Sequence, residues 1–243
     1  MAKRILVFAY GAASYLAFFA TFLYLMGFVS GFIVPKSIDS APEGPLGEAM
    51  LVNFSLIALF GLQHSIMARR WFKRGMTQVV PEPAERATFV LATVVVLNLL
   101  FWQWRPMGGV LWNVSEPALR TALLVISLMG WLLVLTATFL INHFDLFGLR
   151  QVYLYLRGVP YTQIAFRQPW LYRQVRHPLY LGFLIAFWVA PTMTMAHFFF
   201  AVVITSYILM AIQFEEHDLV EQHGHAYLEY RKRVGMLIPK SSS

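Results

Sequence analysis

Long apolar segments separated by short polar connectors dominate the pattern of this chain. Four of them reach or exceed the length of a membrane-spanning helix, which needs about twenty largely apolar residues. The pattern therefore predicts helices over residues 5–34, 50–68, 85–104 and 118–143. The first is longer than a bilayer requires, and we expect it to tilt or to break near Gly27 or Gly31.

A fifth apolar segment, residues 178–213, is too long to be a single span. As one straight helix it would measure roughly 54 Å, nearly twice the thickness of a hydrocarbon core of about 30 Å. Pro191, with Thr192 and Thr194 beside it, is the expected turn between two short helices. The prediction is an all-α, polytopic membrane bundle of about five to six spans that ends in a helical hairpin.

A single domain is expected over residues 1–243, because the apolar segments follow each other too closely to leave space for a separate soluble domain. Residues 1–143 hold the N-terminal helices in this prediction. Residues 144–243 hold a polar loop, the hairpin and the tail.

Composition supports a membrane protein and limits its chemistry. The chain is 58% hydrophobic and 13% charged, whereas soluble domains have about 25% charged residues. Membrane lipid is thus an expected partner. The absence of cysteine excludes disulfides, cysteine-ligated metals and a cysteine nucleophile. The spacing of His217, His223 and His225 matches no familiar ligand set, so no metal site is predicted.

The formal charge of +7 is distributed as membrane topology predicts. No long basic run alternates with aromatic residues, so no nucleic-acid partner is expected. With a cytoplasmic N-terminus and a folded-back hairpin, sixteen of the nineteen lysines and arginines lie on the inner side. We therefore expect an inner (cytoplasmic) membrane protein with both termini in the cytoplasm.

Polar residues flank the hairpin on this same side. A basic loop ends at Arg176 and His177 and enters the apolar segment at Pro178, which is typical of the first turn of a helix. Beyond the second arm of the hairpin follow Glu215 and Glu216. Folding back of the hairpin would bring the histidine and the carboxylates to one membrane face.

Three motifs in this region occur in order: Arg-His-Pro-x-Tyr-x-Gly, Glu-Glu-x-x-Leu and Gly-x-x-Tyr-x-x-Tyr-x-x-x-Val. Together they resemble the isoprenylcysteine carboxyl methyltransferase superfamily, whose members are membrane enzymes that take a methyl group from S-adenosylmethionine. The match covers about the last seventy residues. It implies that residues 144–177 form a cofactor-binding loop. The cofactor contacts that we predict on this basis are Tyr172, His177, Pro178, Leu179, Tyr180, Gly182, Glu215, Glu216, Tyr227 and Tyr230.

These residue types suit the cofactor chemically. A carboxylate such as Glu215 can bind ribose hydroxyls or the amine, a histidine can bind the carboxylate, and tyrosine ring faces can lie near the sulfonium charge. The alternative for Tyr180, Tyr227 and Tyr230 is an interfacial aromatic belt. Gly182 leaves room for a close approach to the backbone.

One position departs from the superfamily pattern. The resemblance predicts a substrate-binding arginine four residues before the first glutamate, where this chain has Ala211. Because its neighbours offer no replacement cation, a carboxylate substrate is put in doubt.

Two upstream segments, 61–68 and 142–151, look like segments of the bacterial methanethiol S-methyltransferases, a branch of the same superfamily. This resemblance implies a small thiol substrate, methanethiol, and dimethyl sulfide as its product. It also leads us to assign Gln151 to the cofactor.

A positioned base is expected for this reaction, since a thiolate is a far better nucleophile than a thiol. The candidates are His64 and the pair formed by His143 and Asp145, with Arg150 or another arginine of the loop stabilising the thiolate. The alternatives are a snorkelling or hydrogen-bonded His64 and, for His143 and Asp145, a C-terminal helix cap.

Two other functions stay open from the sequence. One is a methyltransferase for a larger lipidic or isoprenoid substrate, and the other is a membrane transporter or assembly factor. Buried charges along the helix centres would favour transport, but the second to fourth spans have almost none.

Overall fold

The computed structural model describes residues 1–40, 42–164 and 167–240. Two short strands are present in these ranges, β1 (Val110–Asn113) and β2 (Thr192–Thr194). The α-helices in the same ranges are, in chain order, α1 (Ala2–Ser30), α2 (Leu46–Ala68), α3 (Arg70–Met76), α4 (Glu85–Gln103), α5 (Pro117–Ile141), α6 (His143–Leu146), α7 (Leu149–Arg157), α8 (Pro178–Trp188), α9 (Met195–His223) and α10 (His225–Arg233).

Within the described residues, five helices are long and apolar enough to cross a membrane: α1, α2, α4, α5 and α9. Large apolar side chains on them are open to the surroundings, including Leu16 at 66% and Phe139 at 58% exposure. In a bilayer such side chains contact lipid, which costs nothing. The expected all-α, multi-pass membrane architecture is confirmed.

Helix α1 is continuous from Ala2 to Ser30 and measures roughly 44 Å. It does not break at Gly27. It ends at Gly31, whose φ of 74° is the left-handed conformation that glycine adopts readily and whose N–H donates to the carbonyl of Gly27. Because the helix exceeds a hydrocarbon core of about 30 Å, tilting is the remaining way to fit it.

The hairpin is present, but its two arms are unequal. α8 has 11 residues, which is about 16 Å, and α9 has 29. The expectation of two short helices is therefore wrong. The turn lies at the predicted place, where the Pro191 carbonyl accepts from the N–H of Val114 at 2.8 Å. The sequence misled because α9 continues beyond Gln213 through charged residues that favour helix as well as apolar ones do.

The chain divides into two compact units that alternate along the sequence. The first contains Met1–Gly109, Asn142–Gln163 and Thr194–His197. The second contains Val110–Ile141, Ile164–Met193 and Phe198–Ser243.

Glycines fix the packing inside the first unit. A Cβ on Gly11 of α1 would lie 2.5 Å from Cγ2 of Val152, so α7 packs closely on α1 only because that Cβ is missing. Gly148 has a φ of 85°, and a Cβ on it would lie 2.7 Å from the amide nitrogen of Ala87. The α6–α7 segment is thereby held against α1 and the start of α4.

In the second unit, α8 and α9 run antiparallel. His177 before α8 contacts Glu216, and Trp188 at its end donates to Thr205 at 2.9 Å. The two contacts are eleven positions apart along each arm of the hairpin, as expected for two helices that pack side by side over this length. Phe187 and Phe200 pack edge-to-face between them, with centroids 5.1 Å apart.

Candidate functional site

The predicted site residues fall into two groups, one in each unit. The second unit holds Tyr172, His177, Pro178, Leu179, Tyr180, Gly182, Glu215, Glu216, Tyr227 and Tyr230. The first unit holds His64, His143, Asp145, Arg150 and Gln151.

In the second unit the start of α8 is tied to the C-terminal segment. Pro178 occupies the first turn of the helix, where its missing N–H costs nothing. The N–H groups of Arg176 and His177 donate to the carbonyls of Gly235 at 2.8 Å and Met236 at 3.1 Å. This pairing fixes the backbone from which the His177 side chain projects.

The side chain of His177 is paired with Glu216, which is only 4% exposed. One oxygen of that carboxylate lies 3.1 Å from Nε2 of His177 and 2.7 Å from Nε of Arg176. The other oxygen lies 3.3 Å from Nε of Arg231. A buried carboxylate is tolerated when it is paired and hydrogen-bonded, and here the chain itself supplies the partners.

Glu215, the preceding residue, has a different environment. Its carboxylate lies near the hydroxyl of Tyr180. Among the described residues no lysine, arginine or histidine forms an ion pair with it. Glu215 is half-buried, so it presents a negative charge that is available to a cationic or hydroxyl-bearing ligand.

Tyr172 lies next to this carboxylate. Burial, followed by the charge of Glu215, raises the pKa of Tyr172 well above its usual value, so the phenol stays protonated. Its hydroxyl is 3.4 Å from the carbonyl of Ala137, which is a weak hydrogen bond at best. A neutral aromatic ring beside a carboxylate is a suitable neighbour for an organic cation.

Tyr227 and Tyr230 belong to the core of the tail. They are 1% and 2% exposed and pack on each other and on Val234. Burial raises the pKa of Tyr230 to about 12, and its hydroxyl donates to the carbonyl of Tyr172. The alternative of an interfacial aromatic belt is therefore wrong for both tyrosines. Their described contacts are with other residues of the chain, and cofactor binding by them stays a prediction.

The close approach to the backbone that was expected at Gly182 is made by a neighbouring helix. A Cβ on it would lie 2.7 Å from the carbonyl oxygen of Gly130 and 2.8 Å from the amide nitrogen of Val134. A Cβ on Gly130 would in turn lie 2.7 Å from the amide nitrogen of Ala186. The close approach that glycine permits is thus made by α5. Leu179 is half-buried in the first turn of α8.

In the first unit, His143 is 3% exposed and its Nε2 lies 2.8 Å from the hydroxyl of Tyr15 on α1. The Tyr15 ring also meets the imidazole edge-to-face, with centroids 5.6 Å apart. Burial lowers the pKa of His143 below its usual value, so the ring is neutral near pH 7 and able to accept a proton.

Asp145 does not orient this imidazole. The chain does leave the helix before His143, because α5 ends at Ile141, but the carboxylate binds Nη1 of Arg150 at 2.9 Å and the hydroxyl of Tyr161 at 3.2 Å. The expected pairing of Asp145 with His143 is therefore not formed. The amide of Asp145 donates to the side chain of Asn142, which is an N-terminal cap of α6 and not the C-terminal cap given as the alternative.

Arg150 forms three side-chain hydrogen bonds within the described residues. Besides Asp145, it donates to the carbonyl and to the hydroxyl of Thr162, both at 3.0 Å. Gln151 donates from Nε2 to the carbonyl of Asp145 at 3.0 Å, while its Oε1 is buried without a hydrogen-bond partner in the described ranges. An unsatisfied buried acceptor is unusual in a native protein and is a candidate for ligand binding.

His64 is a residue of α2 whose side chain contacts α4. Its ring centroid is 4.8 Å from that of Phe89, and its Nδ1 is 3.5 Å from the hydroxyl of Thr93, at the limit of a hydrogen bond. The hydrogen-bonded alternative to a functional His64 is thus weak.

Sequence reasoning missed Tyr15, Arg86 and Tyr161. Tyr15 is a polar side chain within the first span, and Arg86 is a cation at the start of the third. Ionisable or polar groups inside a span are functional candidates by default, so both had a detectable signal. Tyr161 in the loop had none.

Comparison with curated proteins finds close relatives along the whole chain. The methanethiol S-methyltransferase of Mycobacterium tuberculosis is 53% identical over 98% of this chain and 97% of its own. Methanethiol S-methyltransferase 1 of Bradyrhizobium diazoefficiens is 51% identical over 97% of this chain and 83% of its own. Nurim of Bos taurus is 30% identical over 90% of this chain and 91% of its own. No family model and no solved structure matches the chain.

Proposed function

The chain belongs to the methanethiol S-methyltransferase family, and on this premise we propose that it is an integral-membrane enzyme that methylates methanethiol to dimethyl sulfide with S-adenosylmethionine. The structural observation that supports this most is Glu215. Its carboxylate lies near the hydroxyl of Tyr180 and forms no ion pair within the described part of the chain.

The second unit fits the methyl donor. Glu215 would accept from the ribose hydroxyls or the ammonium group, and Tyr172 and Tyr180 would offer ring faces to the cationic part of the molecule. The network of Glu216, Arg176 and His177 would hold this wall in place, since its members bind each other. When bound, S-adenosylmethionine supplies the electrophilic methyl group.

The first unit supplies groups that can accept the proton of the thiol. His143 is neutral near pH 7, and His64 lacks a strong hydrogen-bond partner at Nδ1. An aliphatic thiol is mostly protonated at that pH, and general-base assistance contributes about 10²–10⁴-fold. Both histidines remain candidates for this base.

The substrate class follows from a missing charge. Ala211 is half-buried, and no cation stands at this place to pair with a substrate carboxylate. A small uncharged thiol requires no such partner. A prenylated carboxylate would leave a charge unpaired, which is costly away from water.

The decisive experiment is to follow dimethyl sulfide in the headspace above purified protein in lipid nanodiscs with S-adenosylmethionine and methanethiol. We expect the product only with both substrates present. A prenyl thiol and a prenylcysteine serve as competing acceptors, and exclusive turnover of either would contradict the proposed substrate.

Binding of the donor is tested separately by calorimetry on Glu215→Gln. The affinity for S-adenosylmethionine should fall by about tenfold or more, since a hydrogen bond to a charged group contributes about 1.5–3 kcal/mol. The matched control is Glu229→Gln, because the side chain of Glu229 is 42% exposed and pairs with Lys232. Equal affinity in both variants would remove Glu215 from the donor site.

The orientation that we propose places both termini in the cytoplasm, within the inner membrane, on the strength of the positive charges. Because the chain has no cysteine, labelling of single cysteines is free of background. The variant Ala2→Cys should react with an impermeant maleimide only after the cells are opened, and Lys36→Cys should react in intact spheroplasts. The opposite pattern would reverse the topology.

A further inference from the structure

Arg86, the second residue of α4, is a cation held in place without being neutralised. Its Nε donates to the carbonyl of Leu146 at 2.7 Å. Its guanidinium lies over the ring of Phe89, with Cζ 4.9 Å from the centroid. Both contacts orient the planar group, and neither provides a negative charge.

No carboxylate forms an ion pair with Arg86 within the described ranges. Glu85 and Asp145 are close enough to act on it electrostatically, as is Tyr161. Asp145 is bound by Arg150 at 2.9 Å, however, and one oxygen of Glu85 is buried without a hydrogen bond. The terminal nitrogens of Arg86 therefore keep N–H donors that no described residue uses.

Two further groups lie around the same ring and the same turn. The ring centroid of His64 is 4.8 Å from that of Phe89, so the histidine and the guanidinium both contact the same aromatic ring. Gln151 binds the carbonyl of Asp145, which is next to the carbonyl that Arg86 binds, and its buried Oε1 has no partner among the described residues. The first unit thus gathers a cation, an imidazole and an open acceptor.

We propose that Arg86 binds the thiolate form of the small thiol substrate, with His64 as the acceptor of its proton. The inference rests on the proposed function and names the residue that holds the nucleophile. The S–H bond breaks, the proton moves to the imidazole, and the electron pair stays on sulfur beside the guanidinium. The thiolate sulfur then forms the new S–C bond as the methyl–sulfonium bond of the donor breaks, and the imidazolium returns its proton to water.

Arg86 suits this role better than Arg150, the loop arginine that the sequence analysis names for stabilising the thiolate. The guanidinium of Arg150 is already paired with the carboxylate of Asp145 and bound twice by Thr162, so a thiolate would compete with a charge that the chain itself supplies. Arg86 gains a partner without losing one. An opposite charge within about 4–6 Å lowers the pKa of an acid by about 1–3 units, so the bound thiol would ionise closer to neutral pH.

The test compares wild-type protein with Arg86→Gln and Arg86→Lys in nanodiscs, with kcat and KM for methanethiol measured across pH and the affinity for S-adenosylmethionine measured by calorimetry. The matched control is Arg74→Gln, an exposed arginine of α3. For Arg86→Gln we expect kcat/KM to fall by about 10²–10³-fold near neutral pH, in line with the loss of one charge-stabilising donor. The midpoint of the kcat profile should rise by about one pH unit or more.

Arg86→Lys keeps the charge but loses the planar fork and its stacking, so it should restore part of the pH profile. It also supplies the measurement if Arg86→Gln does not fold. The affinity for S-adenosylmethionine should stay within about twofold in all variants. A uniform loss of kcat with an unmoved pH profile would make Arg86 structural, and a loss of donor affinity would assign it to the donor carboxylate; both outcomes overturn the inference. If wild-type protein forms no dimethyl sulfide, the proposed function fails instead.

Discussion

Two charged clusters, one in each unit, differ in how far the chain satisfies them. In the second unit Glu216 has Arg176, His177 and Arg231 around it, and all are held by described contacts. In the first unit Arg86 has one hydrogen bond and an aromatic ring. A cluster whose charges are all paired stabilises the fold, because its members form ion pairs and hydrogen bonds with each other. An incomplete one keeps the donors that a ligand needs.

The same contrast recurs between neighbours on α9. Glu216 forms an ion pair with Arg231 of the tail. Glu215 lies near a tyrosine hydroxyl and forms no ion pair with a described residue. Adjacent carboxylates can therefore have separate tasks, one structural and one in binding.

The largest effect is expected for Glu216→Gln. Removing the negative charge leaves two arginines near a buried site without compensation, and breaking a buried ion pair costs about 3–5 kcal/mol. Measured in detergent and in the absence of ligand, the Tm of this variant should be well below that of wild type. Glu215→Gln in parallel should keep its Tm and lose donor affinity. Equal melting of the two variants would erase the distinction between them.

Gly182→Ala should cost less but still be measurable. Its Cβ would meet the backbone of α5 at 2.7 Å, and backbone shifts of this kind cost about 1–3 kcal/mol. The matched control is Gly75→Ala in α3, where a Cβ meets nothing within 4 Å. If Gly182→Ala kept its Tm and lost only donor affinity, the glycine would belong to the binding site after all.

Apolar length made most of the fold predictable. Helix α4 was expected over residues 85–104 and spans Glu85–Gln103, since a bilayer leaves few alternatives for an apolar segment of that size. Pro178 was correctly placed at a helix start. The end of α9 was not predictable in this way, because Glu215 and Glu216 lie beyond the apolar run while the backbone continues as helix to His223.

The residue types of the candidate site were predictable from the sequence. The contacts between these residues were much less predictable. The motifs indicated Glu215, Glu216 and His177, but that the chain neutralises Glu216 depends on its contacts with Arg176 and Arg231, which the motifs do not specify. The partner of His143 is Tyr15, which is 128 positions away in the chain. A single sequence has no signal for a pair so distant.

Tyr15→Phe should have a small effect on stability. It removes the hydroxyl that lies 2.8 Å from Nε2 of His143 and leaves the aromatic packing intact. The net loss of one hydrogen bond is about 0.5–1.5 kcal/mol. A Tm unchanged from wild type would mean that the contact does not contribute to folding.

The smallest effect concerns the pH dependence of stability that His143 contributes. Because burial lowers its pKa in the folded protein, the unfolded chain takes up the proton more readily. The contribution is therefore present above the usual histidine pKa and is lost as the pH falls below it. Between about pH 7.5 and about pH 5.5, His143→Gln should lose less Tm than wild type does. His217→Gln, at an exposed position of α9, should follow the wild-type curve. A wild-type slope in His143→Gln would show that the imidazole is not held neutral by its surroundings, and the first unit would then lose one of its two candidate bases.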